Sequence, residues 1–170
     1  VSQYTKNILV EHYGIDPYKI CVVHNGSSEE HLRPARHNAV ALPWRKQQAP
    51  MVLFLGRLTL QKGPIQFLEM AAKVHALRPE VQFVVAGEGN MLDEMVAKAR
   101  ELRLGENVAF LGKVNSAQAR KLYASADCFV MPSLSEPFGL VALEAIAHGT
   151  PVVISKQIGR ASCRERVYHP

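Results

Sequence analysis

The segment Ser135–Glu144 carries two glutamates whose spacing could serve ligand binding. Glu136 falls in a predicted loop after a strand, and Glu144 falls within the helix predicted to follow. A helix advances ~1.5 Å per residue, so their spacing separates the two carboxylates along one side and excludes a paired acid and base. The arrangement favours hydrogen bonds to two hydroxyl-bearing ends of one extended ligand. The alternative is an ordinary amphipathic helix with one capping glutamate and one buried or solvated glutamate.

A predicted helix N-terminus lies between these two carboxylates, at Phe138, Gly139 and Leu140. The first N–H groups of a helix have no partner within it and carry partial positive charge, so they can bind an anion. Gly139 has no side chain and would allow a close approach to the backbone. The segment therefore predicts an anion site between two hydroxyl-binding carboxylates.

A second candidate is the loop Gly56–Gly63, which follows the first strand of the predicted sheet and contains Arg57 and Lys62. In doubly wound sheets, ligands bind beyond the carboxyl ends of the strands. A planar guanidinium and a mobile ammonium there could neutralise a diphosphate from two sides. The alternative is a surface turn whose two cations are solvated.

A third candidate is Gly87-Glu88-Gly89, directly after the second predicted strand. A Gly-x-Gly pair in this place can indicate a dinucleotide site, but the third glycine of that fingerprint would fall on Leu92. No acidic residue closes a following strand in this unit either. The two glycines let the backbone pass close to a nucleotide or simply turn the chain, and the sequence leaves both open.

The elements that must position these groups alternate regularly from Met51 onward, which indicates βαβ units. Apolar runs of strand length are typical of a parallel sheet buried on both faces, and Phe110, Tyr123 and Phe129 are assigned to its core. We predict an α/β fold with a doubly wound, Rossmann-like parallel sheet. The predicted strands are 51–55, 81–86, 107–111, 127–131 and 151–154, and the predicted helices are 64–77, 90–104 stopped by Gly105, 116–123 capped by Ser116, and 138–148.

The two ends of the chain differ from this pattern. Residues 2–13 predict a helix, and Lys19–His24 predicts a short strand ending in the turn Asn25-Gly26. Residues 27–50 have no clear period and indicate a linker. Residues 158–170 break the hydrophobic rhythm and resemble a translated sequencing adapter, so we interpret them as a non-native read-through tail.

Composition and charge exclude several classes of protein. Hydrophobic residues make up 48% of the chain and charged residues 21%, which is typical of a protein with a buried core. No apolar run approaches the ~20 residues of a membrane span. The net charge of +5 is interspersed, without the basic stripe and aromatic residues of a nucleic-acid binder. The three cysteines show no Cys-x-x-Cys spacing, so neither a disulfide framework nor a zinc site is predicted.

Taken together, these stretches resemble one family: the C-terminal, donor-binding half of retaining glycosyltransferases of the GT-B fold, family 4. The resemblance runs from Val1 to about Gln157. The stretches that carry it are Phe54–Gly63, Phe83–Gly89, Val108–Val114, Ala126–Ser133, Glu136–Glu144 and Ala145–Val153.

The resemblance implies that Arg57 and Lys62 hold the diphosphate of a nucleoside-diphosphate sugar. The N–H groups of the segment Phe138–Leu140, those of Gly139 and Leu140 above all, would assist. These groups take the role that Mg²⁺ has in other transferases, stabilising the leaving diphosphate. The resemblance therefore implies no metal and no cofactor apart from the donor substrate.

The remaining site residues follow from the same resemblance. Glu144 would bind the ribose hydroxyls, and Val114 would border the base. Glu136 is similar to the residue that faces the transferred sugar, which makes it the candidate catalytic residue. The stretch Gly87-Glu88-Gly89 matches a loop that lines the same cleft.

The resemblance also divides the chain and implies its partners. Residues 1–26 would end an acceptor-binding domain with its hinge, 27–50 would be a linker, and 51–157 would be the donor-binding domain. With the acceptor domain largely missing, we expect transfer only from a longer parent enzyme. The partners would be a nucleotide sugar and an unidentified glycan, lipid or small-molecule acceptor, in the cytoplasm.

The sequence leaves two alternative functions and a contact with a membrane open. An epimerase or phosphorylase of the same fold would carry a catalytic histidine or a cofactor-binding lysine, and no matching local motif is found. A non-catalytic module that binds nucleotide sugars is the other alternative. The cations Lys98, Arg100 and Arg103 could touch the inner face of a membrane, although such a cluster is usually a solvated helix face.

Overall fold

A computed structural model describes residues 3–23, 49–136 and 139–155 of the chain. The helices are α1 Gln3–Glu11, α2 Pro64–Leu77, α3 Leu92–Glu101, α4 Ser116–Ser125 and α5 Leu140–Ala147. The strands are β1 Met51–Leu55, β2 Gln82–Ala86, β3 Val108–Gly112, β4 Cys128–Met131 and β5 Val152–Ile154, and single 3₁₀ turns occur at Pro17–Lys19, Leu60–Lys62 and Gly105–Asn107.

The five strands form one parallel sheet in the order β3-β2-β1-β4-β5. In the middle of the sheet, Leu53 lies opposite Val84 on one side and Phe129 on the other. The strand order reverses between β1 and β4, and ligands of such sheets bind at the carboxyl ends of the strands that flank this point. The predicted doubly wound, Rossmann-like fold is confirmed.

Alternate residues of the central strands β1, β2 and β4 build two separate cores, one on each face of the sheet. Phe54 faces α2 and α3: it packs against the Phe67 ring and lies in the same cluster as Met95. Leu53 faces α4 and α5, in the same cluster as Tyr123. Because side chains point to opposite faces with a period of two, a strand covered by helices on both sides must be apolar throughout. The continuous apolar runs of the sequence have this cause.

Several element ends differ from the sequence-based expectation because local hydrogen bonds decide them. Helix α3 ends before Gly105: Arg103 takes the left-handed conformation, with φ of 54°, and Leu104 N–H donates to the Ala99 carbonyl at 3.0 Å. The cap of α4 is Asn115 rather than Ser116, since Asn115 exchanges hydrogen bonds of 2.9 Å with Gln118 in a capping box.

The strand predicted at Lys19–His24 is wrong over its described part. Lys19 closes a 3₁₀ turn that begins at Pro17, and residues 20–23 join no strand. Proline presets the backbone for such a turn, and the Asp16 side chain accepts a hydrogen bond of 2.9 Å from Tyr18 N–H. The turn at Asn25-Gly26, most of the predicted linker 27–50 and the predicted tail 158–170 lie outside the described residues.

Two glycines with the same positive φ allow a matched test of the close packing at the sheet edge. Gly63 and Gly112 both have φ of +66°, but a Cβ at Gly63 would lie 2.2 Å from the Pro132 carbonyl oxygen, whereas one at Gly112 would contact nothing within 4 Å. Gly112→Ala should lower the free energy of unfolding by about 1 to 2 kcal/mol through the left-handed backbone alone. Gly63→Ala should lower it by about 1 to 3 kcal/mol more, because the two backbones must separate.

Urea unfolding of the two variants measures this difference. Equal losses of stability would contradict the close contact between Gly63 and Pro132.

Candidate functional site

Two adjoining cavities lie at the carboxyl edge of the sheet, where the strand order reverses. The first, of about 260 Å³, is lined by the ends of β1 and β4 and by two cationic residues; its lining is Phe54, Leu55, Gly56, Arg57, Lys62, Val130, Met131, Ser133 and Val141. The second, of about 140 Å³, is lined by Leu55, Val114, Asn115, Ser116, Ala119, Arg120, Tyr123 and Glu144. Leu55 lines both, so the two cavities meet at the end of β1.

The loop between β1 and α2, residues 56–63, is held on one side by the loop after β2. Leu58 N–H donates to the Glu88 carbonyl at 2.9 Å. A Cβ at Gly87 would lie 1.9 Å from the Gly56 carbonyl oxygen, and one at Gly89 would lie 2.3 Å from that of Leu58. These two glycines therefore permit a close passage of two backbones. Their Gly-x-Gly spacing is explained by loop packing, without a dinucleotide.

On its other side the same loop is held by the segment after β4. Leu134 N–H and Ser135 N–H donate to the Gln61 carbonyl at 2.8 and 3.3 Å. These bonds bring Lys62 beside Glu136, which lies far from it in the sequence. The structure thus unites two of the segments that the sequence singled out separately.

Lys62 and Glu136 form an ion pair at the centre of this junction. The Glu136 side chain is 7% exposed and that of Lys62 is 20% exposed. Glu136 Oε1 also accepts a hydrogen bond of 3.0 Å from Gly139 N–H, at the N-terminus of α5. A carboxylate withdrawn from water needs such partners. Lysine and helix terminus together therefore stabilise negative charge at this place, and the Gly139 N–H is engaged by Glu136.

Glu144 lies half-buried on α5 and borders the second cavity. Its Oε2 accepts a hydrogen bond of 3.1 Å from the hydroxyl of Tyr123 on α4. Tyr123 is 1% exposed, and burial, followed by the charge of Glu144 and this hydrogen bond, raises the pKa of its hydroxyl. The hydroxyl therefore remains a donor at ordinary pH.

The contact between Tyr123 and Glu144 was missed by sequence reasoning, which assigned Tyr123 to the core. The assignment is confirmed for the ring, which packs against Phe129 at a centroid distance of 5.6 Å. A signal was available, since a tyrosine at a buried helix position needs a partner for its hydroxyl where a phenylalanine would not.

The other predicted site residues lie around the two cavities. Arg57 is exposed at the rim of the first cavity, and Val114 lines the second. Glu88 forms an exposed ion pair with Lys113 at 3.0 Å and, like its two glycine neighbours, is not among the lining residues of either cavity. Leu140 is half-buried in the first turn of α5. Phe138 lies outside the described residues.

Within residues 3–23, 49–136 and 139–155, no cluster of three or more His, Cys, Asp or Glu side chains could share a metal ion. No helix in these ranges is both long and apolar enough to cross a membrane. That the reaction uses no metal or other cofactor stays a prediction.

The part of the chain that forms the sheet and the two cavities matches a known protein family. The family described as Glycosyl transferases group 1 matches residues 43–163. An uncharacterised glycosyltransferase of Methanocaldococcus jannaschii is 42% identical over 148 residues, covering 87% of this chain and 36% of that protein. A D-inositol 3-phosphate glycosyltransferase of Segniliparus rotundus is 37% identical over 153 residues, covering 87% of this chain and 34% of that protein.

Among solved structures, HepE of Anabaena in complex with UDP-glucose is similar with a TM-score of 0.79 and 26% identity, covering 99% of this chain and 46% of that one. The chain spans about a third of the length of the two curated relatives, 36% and 34%. The family match, residues 43–163, includes all five strands and both the cation-bearing and the carboxylate-bearing segments. The chain belongs to the glycosyl transferases group 1 family.

Proposed function

We propose that this chain is the donor-binding part of a retaining glycosyltransferase of family 4. The enzyme would transfer a sugar from a nucleoside-diphosphate sugar to an acceptor hydroxyl and keep the configuration at the anomeric carbon. The observation that carries the proposal is the arrangement of Arg57 and Lys62 in one cavity and Glu144 in the adjoining one, with Glu136 between cation and helix terminus.

The diphosphate fits the first cavity. Arg57 and Lys62 supply positive charge from the loop after β1, and the first turn of α5, whose Val141 lines the same cavity, would supply N–H groups. Such fixed donors stabilise the charge that develops on a leaving diphosphate and need no reorganisation during the reaction. We therefore assign these groups to the role that a metal ion has in other transferases.

The two rings of the donor fit on either side of the diphosphate. Glu144 in the second cavity would accept hydrogen bonds from the ribose hydroxyls, and Val114 in the same lining would border the base. Glu136 would face the hydroxyls of the transferred sugar. Gly87 and Gly89 would contribute indirectly, by holding the loop that carries Arg57 and Lys62.

The Glu136 carboxylate also affects how a donor phosphate can bind. Its carboxylate pairs with Lys62 and accepts the Gly139 N–H, which are the groups that a phosphate would use. A donor phosphate must therefore compete with the carboxylate for these partners, or share them. A Glu136 carboxylate displaced from Lys62 and the Gly139 N–H would turn toward the transferred sugar. There it would act as the candidate catalytic residue.

The similar proteins support the proposed classes of donor and acceptor. HepE is described in complex with UDP-glucose, and the Segniliparus relative is a glycosyltransferase of D-inositol 3-phosphate. We infer a nucleotide sugar as donor and a glycan, lipid or small molecule as acceptor for the enzyme containing this chain. We also propose a cytoplasmic location, with the cations Lys98 and Arg100 of α3 and Arg103 just after it as the groups for any contact with an inner membrane face.

A nucleotide-sugar binding module is the second candidate, because this chain spans about a third of its curated relatives, 36% and 34%. We expect the chain alone to bind donor without transferring sugar. Turnover of several nucleotide sugars, measured for this chain and for a version extended to the length of the relatives, separates the two. Turnover by the extended version alone supports the transferase, and turnover by neither supports the module.

The role proposed for Arg57 can be tested by substitution. Arg57→Ala removes a charge-assisted contact to the diphosphate, worth about 1.5 to 3 kcal/mol, so affinity for the cognate nucleoside diphosphate should fall about 10- to 100-fold. Arg103→Ala, an exposed arginine at the end of α3, is the control and should change it less than twofold. Calorimetric titration measures both, and equal affinities of the two variants would remove Arg57 from the site.

A substitution of Glu136 separates its effect on the diphosphate from its effect on the sugar. Glu136→Gln removes the negative charge that competes for Lys62, so a plain nucleoside diphosphate should bind equally well or a few-fold more tightly. The nucleotide sugar should bind about 3- to 10-fold more weakly, because a charged hydrogen bond to the sugar is lost.

Titration of Glu136→Gln with both ligands tests this, with Glu101→Gln on the exposed side of α3 as control. A loss of the same size for both ligands would show that Glu136 does not distinguish the sugar from the diphosphate.

A further inference from the structure

The hydroxyl of Tyr123 is a buried polar group in the lining of the second cavity, and it donates a hydrogen bond to Glu144, the carboxylate assigned to the ribose. Tyr123 Oη lies 3.1 Å from Glu144 Oε2, and both residues line that cavity. Tyr123 is 1% exposed, whereas Glu144 is half-buried and faces the cavity. The tyrosine therefore contacts the carboxylate from the protein side.

The core fixes the position of this hydroxyl. The Tyr123 ring packs against Phe129 at 5.6 Å with an interplanar angle of 76°, and against the His148 ring at 5.6 Å with an angle of 35°. Its carbonyl oxygen accepts a hydrogen bond of 2.6 Å from Thr150 Oγ1, a buried residue just before β5. Contacts with Phe129 of β4, with His148 just after α5 and with Thr150 before β5 thus fix the position of Tyr123.

Glu144 by itself has no such constraint on its carboxylate, because a glutamate side chain rotates about several bonds. Burial raises the pKa of the Tyr123 hydroxyl, so it acts as a permanent donor. A carboxylate has about four acceptor positions, and the tyrosine occupies one of them on Oε2. The other positions remain for the two neighbouring hydroxyls of a ribose.

We propose that Tyr123 is a positioning residue for nucleotide recognition: its hydroxyl orients the Glu144 carboxylate and so sets the preference for ribose over a sugar lacking the 2′- and 3′-hydroxyls. This inference rests on the proposed function, in which Glu144 binds ribose. An acceptor already held in place loses less conformational freedom on binding, which favours affinity. Tyr123 therefore raises the affinity for a nucleotide with both ribose hydroxyls and leaves the affinity for one without them nearly unchanged.

Tyr123→Phe tests the proposal, since it removes the hydroxyl and keeps the ring. The chain is titrated calorimetrically with UDP, GDP and ADP, and the tightest of these is compared with its 2′,3′-dideoxy analogue. Tyr123→Phe should weaken the ribose form about 3- to 10-fold and the dideoxy form less than twofold. The control Tyr18→Phe, a tyrosine that is 98% exposed, should leave both unchanged.

A second variant keeps the test independent of any folding defect in Tyr123→Phe. Glu144→Asp retains the charge but shortens the side chain, which moves the carboxylate away from Tyr123. It should reduce the preference for ribose to a similar degree. Thermal unfolding of each variant establishes that it is folded at the titration temperature.

The outcomes distinguish the inference from the proposed function. Equal losses for the ribose and dideoxy forms in Tyr123→Phe, or an unchanged ribose preference in both variants, would overturn the positioning role while leaving donor binding intact. No binding of any of the three diphosphates by the unmodified chain, or full ribose preference in Glu144→Ala, would contradict the proposed function and the inference with it.

Discussion

The loop between β1 and α2 runs so close to two neighbouring loops that main-chain atoms meet on both sides. Leu58 N–H bonds to the Glu88 carbonyl, and the backbone at Gly63 touches the Pro132 carbonyl. A side chain at Gly63 or Gly87 would push these backbones apart. The positions of Arg57 and Lys62 therefore depend on main-chain packing, which is stiffer than the long side chains it carries.

Charge balance at the same junction links the structure to its proposed use. The Glu136 carboxylate is 7% exposed, and a buried charge without partners would be unstable. Lys62 and the Gly139 N–H provide the compensation. The positive potential that stabilises this carboxylate is the same one that a diphosphate requires. Tyr123 plays the corresponding part for Glu144, so each carboxylate of the site has a partner supplied by a different element.

Much of the fold was predictable because the spacing of apolar residues along the sequence differs between strands and helices. The bounds of β1 and α2 agree with the prediction, since an uninterrupted apolar run marks the strand and Pro64 marks the first turn of the helix. The errors lie at ends and in short pieces. The left-handed residue that follows α3 is Arg103, before Gly105 is reached, and Asn115 instead of Ser116 caps α4. Neighbouring residues of similar propensity compete for these positions, and only the hydrogen bonds formed in the folded chain decide between them.

The sequence by itself determined the α/β class, the five parallel strands and the set of charged residues at their carboxyl ends. Those properties follow from local pattern, because each strand and loop carries its own signal. The tertiary structure alone decided the pairs: Lys62 with Glu136 and Tyr123 with Glu144. It also explains why glycine occupies positions 87 and 89, because a neighbouring backbone passes too close to them for a side chain. Such contacts join residues far apart in the chain, and their distances depend on β1 lying beside β4 and on the packing of α4 against α5, which no local pattern encodes.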